Sequence, residues 1–230
     1  MSEPGKTAPV SAPLHLILAA AGSSRRFGAG DKLLALIDEA PVFVHALRRL
    51  IPAVTGKCVV VVPPGRVPEF QEAAFPFVRD LELIWCEGGG CRSESVRKGI
   101  DALGKTEGIV AVHDAARPLA DAALLRELYK AAAEHGAALP GKAVSDTLWR
   151  GESGLLDTRV DREGLFAVET PQLFDIGLWR KAAARFPGKE FTDDAGLLRE
   201  AGFPMALVLN PAPNFKLTIR SDLEVLRALL

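Results

Sequence analysis

A mostly parallel β-sheet covered by helices on both faces is the architecture this sequence predicts, and three observations predict it. Short apolar runs alternate with segments of helical periodicity from Leu14 onward. Three of the runs end in residues suited to a cleft: small residues and arginines after Ala19, Gly88-Gly89-Gly90 after the third run, and His113-Asp114-Ala115-Ala116-Arg117-Pro118 after the fourth. One polar stretch, residues 141–162, breaks the rhythm. The expected fold is a Rossmann-like, three-layer α/β/α domain over residues 13–230, preceded by a flexible tail over residues 1–12 and carrying a projecting β-arm over residues 141–162. In open sheets of this kind ligands bind outside the carboxyl ends of the strands.

Each element has its own justification. Leu14–Ala19 is a short apolar run that turns abruptly into a loop. Residues 41–50 have helical periodicity through Val42, Val44, Ala46 and Leu47, with Pro41 confined to the first turn. Cys58–Val62 is rich in β-branched residues and stops at Pro63-Pro64-Gly65. Residues 81–85 form another short strand, and residues 93–103 a helix with Val96, Ile100 and Leu103 on one face. A strand over residues 109–112 ends at His113-Asp114. Asp121 caps a helix through Leu124, Leu125 and Leu128, and residues 137–139 are again short and apolar. The last helix opens with Ser221-Asp222-Leu223-Glu224, a capping-box pattern.

The loop after the first strand, Ala20-Ala21-Gly22-Ser23-Ser24-Arg25-Arg26-Phe27-Gly28-Ala29-Gly30-Asp31-Lys32, points to phosphate. Small residues let the backbone approach a ligand, and the exposed N–H groups of such a loop form an anion-binding concavity. Arg26 and Lys32 then supply fixed positive charge where a triphosphate lies. The glycines of Glu87-Gly88-Gly89-Gly90-Cys91-Arg92-Ser93-Glu94-Ser95 permit the same close approach, and Arg92, Ser93 and Ser95 open a helix facing that cleft, with Ser93 as its N-cap. Asp114 beside Arg117 has two readings: it binds a divalent cation or a substrate hydroxyl, or it pairs with Arg117 as a structural residue.

Composition narrows the function. Hydrophobic residues make up 48% and charged residues 25% of the 230, as in a globular domain. A net charge of −1 gives no general attraction to nucleic acid or to an anionic membrane, so any basic site is local. Cys58, Cys86 and Cys91 form neither an even framework nor a C-x-x-C pair, which predicts reduced thiols in a cytoplasmic protein. No apolar run spans a bilayer, and the tail has the features of neither a signal nor a transit peptide. His15, His45, His113 and His135 lack metal-ligand spacing; His113 reads as a structural residue at a strand end. G-x-G-x-x-G is absent after the first strand, and no D-x-D appears.

One match is a decoy. Residues 99–106, Gly-Ile-Asp-Ala-Leu-Gly-Lys-Thr, fit the P-loop pattern letter for letter. A P-loop follows a strand and opens a helix, whereas this stretch follows a helix and precedes a strand. Gly104 is expected as a helix C-cap, with Lys105 near the negative helix end.

Residues 141–162 fit no helical period. Leu148, Trp149, Leu155 and Leu156 would be awkward in water, so an extended hairpin packing on a partner subunit is favoured over a long loop folded back on its own domain.

Taken in order, these motifs make the sequence similar to the 2-C-methyl-D-erythritol 4-phosphate cytidylyltransferases from Leu14 to Leu230. The resemblance rests on Ala20-Ala21-Gly22 with Arg26 and Lys32, Gly88-Gly89 with Arg92 and Ser95-Val96, Val112-His113-Asp114-Ala115-Ala116-Arg117-Pro118, Asp146-Thr147, Val160-Asp161-Arg162, Thr170-Pro171-Gln172, Thr192-Asp193-Asp194-Ala195 and Asn214-Phe215-Lys216. It implies that CTP and methylerythritol phosphate are joined with release of pyrophosphate, in non-mevalonate isoprenoid precursor biosynthesis, with Mg²⁺ on the triphosphate and Asp114 as the one candidate protein ligand. Arg26 and Lys32 are implied to stabilise triphosphate charge in the transition state, and Lys216 and Arg162 to position the acceptor phosphate. Ala20, Ala21, Gly22, Gly89, Arg92 and Ser95 are implied to hold the nucleotide, and Asp114, Arg117, Thr147, Thr170 and Thr192 to surround the second substrate. A homodimer built by the arm is implied, with Thr147 and Arg162 entering the neighbour's site. Ser24 stands where the family often has glycine, Gly90 where some members have aspartate, and Asp31 and Leu34 where a proline and an aromatic residue often flank the lysine. Competing readings are a CDP-ribitol-forming cytidylyltransferase, a P-loop kinase or ATPase, and an inactive nucleotide-binding regulator.

Overall fold

The computed structural model describes residues 12–22, 26–28 and 30–230. The expected tail, except Ala12, and the Ser24 substitution therefore lie outside the described residues. In chain order the elements are β1 (Leu14–Ala19), β2 (Leu36–Ile37), β3 (Ala40–Pro41), α1 (Val42–Leu50), β4 (Cys58–Val62), α2 (Val67–Ala74), β5 (Leu83–Glu87), α3 (Arg92–Ala102), β6 (Ile109–Asp114) and α4 (Ala122–His135). Then follow β7 (Ala137–Ala143), β8 (Leu148–Glu152), β9 (Leu155–Val160), β10 (Phe166–Val168), β11 (Gln172–Asp175), α5 (Ile176–Arg185), α6 (Asp194–Glu200), β12 (Ala206–Leu209) and α7 (Asp222–Leu229).

Eight strands form the main sheet in the order β10-β7-β11-β6-β1-β4-β5, with β12 on β7. β1, β4, β5 and β6 pair in parallel, as does β12 with β7, while β10 and β11 run antiparallel to β7. The central strands read as continuous apolar runs because both faces are covered. Leu14, Leu16 and Leu18 point into a core with α1, α4 and α7, whereas Ile17, Val59 and Val61 face α3, α5 and α6. The three-layer expectation holds.

Several boundaries move for physical reasons. Pro41 is not in the first helical turn; it is the extended residue before α1 (φ −61°, ψ 147°) and pairs with Leu36. β5 lies two residues later than expected because its ladder with β4 runs on to Val62↔Glu87. The residue capping α3 is Cys91, not Ser93; the Ser93 hydroxyl instead donates to the Phe191 carbonyl at 2.9 Å and accepts from the Phe191 N–H. The capping box at α7 does not form: Ser221 is already helical, and Asp222 Oδ2 instead accepts from the Thr218 and Ile219 N–H groups at 2.7 and 3.0 Å. Asp121 caps α4 as expected, accepting from the Leu124 N–H at 2.9 Å.

Gly104 follows α3 with φ +76° and donates its N–H to the Asp101 carbonyl at 2.9 Å, so the P-loop match closes a helix and leads into β6. Residues 141–143 complete β7, and the irregular stretch beyond them is the hairpin β8–β9, a two-stranded sheet of its own. Trp149, Leu155 and Leu156 are 49%, 77% and 70% exposed.

Candidate active site

The carboxyl ends of β1, β5 and β6 meet on one side of the sheet. After β1 the Ala20 N–H donates to the Val61 carbonyl at 2.7 Å, so the small-residue loop leaves from the sheet itself. After β5 the Gly88 N–H donates to the Val62 carbonyl at 2.7 Å. A Cβ on Gly88 would stand 2.4 Å from the Ala21 Cβ, so only glycine lets the two loops touch. The buried Ser95 hydroxyl accepts from the Gly89 N–H at 3.0 Å and donates to the Cys91 carbonyl at 2.9 Å, binding this loop to the first turn of α3. Within the first loop Phe27 is buried and anchors the exposed Arg26 beside it. Asp31 accepts from the Leu33 N–H at 2.9 Å and from the Arg66 guanidinium, fixing the turn that carries Lys32. The Lys32 ammonium donates to the Leu217 carbonyl at 3.1 Å. Its pKa is lowered, first by burial and then by the neighbouring Lys216 and Arg26 charges, against the pull of Asp114.

Asp114 is the hub. Lys216 Nζ reaches Asp114 Oδ2 at 2.7 Å, Arg92 Nε reaches Oδ1 at 3.7 Å, and Arg117 Nε lies 3.9 Å from Oδ2. Burial alone would raise its pKa, but Lys216, Arg92 and Arg117 outweigh it and hold the carboxyl at about 2. The pairing reading of Asp114 is thus present in the geometry, with Lys216 as the nearest cation rather than Arg117. His113 is fully buried and structural, its ring bonded to the Arg117 carbonyl at 2.9 Å and lying 3.2 Å from the Thr170 hydroxyl; burial lowers its pKa to about 4. Asn214 donates to Glu169 Oε2 and to the Thr170 carbonyl, both at 2.9 Å, and its own backbone carbonyl accepts from Arg117 Nη1 at 2.7 Å.

Two cavities share this hub. The larger, about 380 Å³, is lined by Ala21, Gly22, Arg26, Lys32, Gly89 and Ser95 among others. The smaller, about 240 Å³, is lined by Arg117, Glu169, Thr170, Gln172 and Thr192 among others. Arg92, Asp114 and Lys216 line both. A carboxylate flanked by two cations is therefore the partition between two adjoining binding spaces.

Most residues singled out in the sequence come together here. Ala20 lies buried beneath the loop rather than on a cavity wall. Thr147 and Arg162 line neither cavity; both are exposed near the ends of the hairpin, where the Arg162 guanidinium bonds the Ser145 carbonyl. Sequence reasoning assigned no role to Glu169, Gln172 or Asp194. Gln172 accepts from the Asp194 and Ala195 N–H groups, both at 3.1 Å, and donates to Asp193 at 3.0 Å, seating α6 on β11. The available signal was the recurrence of Gln172 and Asp194 inside quoted motifs.

Fold and cleft together define the class: an α/β protein with a cationic cleft at the carboxyl ends of its central strands. Residues 14–230 match the family described as 2-C-methyl-D-erythritol 4-phosphate cytidylyltransferase. The chain is 34% identical to the protein of that name from Rhodopirellula baltica, over 96% of each chain, and 35% identical to that from Bacillus velezensis, over 94% of each. It is also 38% identical to the bifunctional enzyme IspD/IspF of Maricaulis maris, of which it spans 55%. The crystal structure of the cytidylyltransferase from Thermus thermophilus superposes with a TM-score of 0.78 at 33% identity, covering 95% of this chain and 98% of that one. This chain belongs to the 2-C-methyl-D-erythritol 4-phosphate cytidylyltransferase family.

Proposed function

We propose that this chain joins CTP and 2-C-methyl-D-erythritol 4-phosphate, forming the cytidine diphosphate product and pyrophosphate, as a step of non-mevalonate isoprenoid precursor biosynthesis. The observation that carries this reading is the shared partition: two adjoining cavities, each with cations on its walls, divided by Arg92, Asp114 and Lys216. A phosphate monoester oxygen in the smaller cavity attacks the α-phosphorus of CTP in the larger. The new P–O bond forms as the bond to the pyrophosphate oxygen breaks, and no protein nucleophile is required. The residues act by position and charge. Arg26 and Lys32 face the departing phosphates, Lys216 stands where the two phosphates meet, and Arg117 orients the acceptor. The backbone of residues 20–22 and 88–89, with Ser95, holds the nucleoside.

Mg²⁺ fits this cleft as a companion of the triphosphate, where it neutralises phosphate charge. Among the described residues no three His, Cys, Asp or Glu side chains are grouped to hold a metal, and Asp114 is the one carboxylate on the larger cavity's wall. Magnesium bound through phosphate oxygens and a single carboxylate suits that donor set.

The exposed hairpin supports a homodimer in which Thr147 and Arg162 reach the partner's cleft. Among the described residues no helix is long and apolar enough to cross a membrane, and a cytoplasmic enzyme binding neither membrane nor nucleic acid is the companion proposal. The test is pyrophosphate release with each of the four NTPs against a panel of polyol phosphates. CTP with methylerythritol phosphate is expected to lead; better turnover with ribitol 5-phosphate, or UTP equal to CTP, overturns the substrate assignment.

A further inference from the structure

Arg92 lines both cavities, yet Asp194 and Trp179, which fix its guanidinium, line neither. Arg92 Nη1 donates to Asp194 Oδ2 at 2.8 Å, and Asp194 Oδ1 accepts from the Trp179 indole N–H at 3.0 Å. Asp194 is 4% exposed and Trp179 also 4%, so this is a buried, charge-assisted chain from α5 through α6 to the first residue of α3. Each Asp194 oxygen has one donor, and Gln172 holds the Asp194 backbone N–H, so the carboxylate and the backbone that carries it are both fixed. Trp179 in turn packs against Phe174 of β11 at 6.4 Å between ring centroids. The other edge of the guanidinium is differently placed. Arg92 Nε faces Asp114 at 3.7 Å, and Arg92 Nη2 is buried with no hydrogen-bond partner among the described residues.

We infer that the Trp179–Asp194 pair is a positioning device that locks the Arg92 guanidinium at the junction of the two cavities. The inference rests on the proposed cytidylyl transfer. Neither Trp179 nor Asp194 lines the larger cavity or the smaller one, so neither is a catalytic residue. Trp179, Asp194 and Arg92 act in series: removing Trp179 or Asp194 frees the guanidinium to swing towards Asp114. An effect on the junction appears in kcat, because the charge there changes as the new bond forms, and leaves KM for CTP nearly unchanged.

The experiment is a double-mutant cycle on pyrophosphate release with Mg²⁺, CTP and methylerythritol phosphate, using Asp194→Asn, Arg92→Lys and the double variant. Trp179→Phe keeps an aromatic ring against Phe174 and removes only the indole donor. Thermal unfolding accompanies every variant. Asp194→Asn is expected to lower kcat roughly tenfold or more and to move KM for CTP less than about threefold; Trp179→Phe is expected to shift kcat in the same direction by less. In the Arg92→Lys background, Asp194→Asn is expected to cost little further, because its only route to the reaction is already lost. Additive losses in the cycle, or a KM effect without a kcat effect, overturn the proposal while leaving the function intact. A wild-type protein with no such turnover overturns the function and, with it, the assignment to Arg92. If Asp194→Asn does not fold, Trp179→Phe with Arg92→Lys forms the same cycle with the same two outcomes.

Discussion

The cleft and the hairpin use similar residues in opposite ways. In the cleft four cations are held by acceptors: Lys216 on Asp114, Arg92 on Asp194, Arg117 on the Asn214 carbonyl and Lys32 on the Leu217 carbonyl. At the hairpin Arg162 is exposed and bonds only the Ser145 carbonyl among the described residues, and Trp149, Leu155 and Leu156 are about half or more exposed. A preorganised site needs its charges fixed before the ligand arrives. An apolar hairpin in water needs a partner. The difference is that the cleft fixes four of its cations within one chain, while the hairpin leaves apolar side chains exposed, which supports the proposed assembly.

The sharpest way to break that contrast is to charge the hairpin. Leu155→Asp with Leu156→Asp is expected to give a monomer and to abolish turnover, although both residues lie outside either cavity. Light scattering and pyrophosphate release at the same protein concentration check it. Full activity in a monomer would mean that the cleft works alone. The unfolding transition of the body should move little, because β8–β9 pairs only with itself.

The next effect lies in the cleft. Lys32→Ala is expected to lower kcat by roughly a hundredfold or more, the scale of removing one preorganised donor to developing charge. Arg26→Ala is expected to act in the same direction. Both variants should stay folded, which circular dichroism confirms or refutes. Near-normal turnover by folded Lys32→Ala would remove the central electrostatic claim.

A smaller effect follows from pH. Asp114 has its pKa depressed from 3.8 to about 2 in the folded chain. The folded state therefore resists a proton that the unfolded chain accepts, and the stabilisation is present above about pH 4 and lost as pH falls towards 2. The size is about 2 kcal/mol from the shift alone. Urea unfolding across that window should show the loss, and Asp114→Asn should flatten it. An unchanged slope in the variant would place the acid sensitivity elsewhere.

How much of this could be seen in the sequence follows from the range of each interaction. The strands over Leu14–Ala19 and Cys58–Val62 were legible to the residue because buried parallel strands are unbroken apolar runs. The Asp121 cap was legible because a cap reaches only three residues forward. The box at Ser221 was not: its letters fit, but Asp222 took the N–H groups of the preceding turn first. β10, β11 and β12 stayed hidden because β10 and β11 are brief and reversed and β12 is a short edge strand, all placed by β7 rather than by a local pattern. In the site, Arg26, Lys32, Asp114 and Lys216 stood out because their charge interrupts small or apolar residues. Asp194 did not, since its partner Arg92 lies 102 positions away. The hairpin's outline was legible from its missing periodicity, while Thr147 and Arg162 line neither cavity of their own chain.

Mixing variants sharpens the contrast most directly, with the smallest signal. Arg162→Ala and Lys32→Ala are each expected to be nearly inactive as homodimers. In a mixed dimer with sites completed in trans, one cleft has both Lys32 from its own chain and Arg162 from the other; the second cleft lacks both. Random exchange makes half the dimers mixed, so activity should return to roughly a quarter of the wild-type level. If Arg162 instead served its own chain, every cleft in every dimer would lack one of the two residues and nothing would return. Exchange is verified by tagging one variant and recovering the other with it. Recovery of activity joins the hairpin of one chain to the cleft of its partner; verified exchange without recovery confines each site to one chain and leaves the hairpin an anchor only.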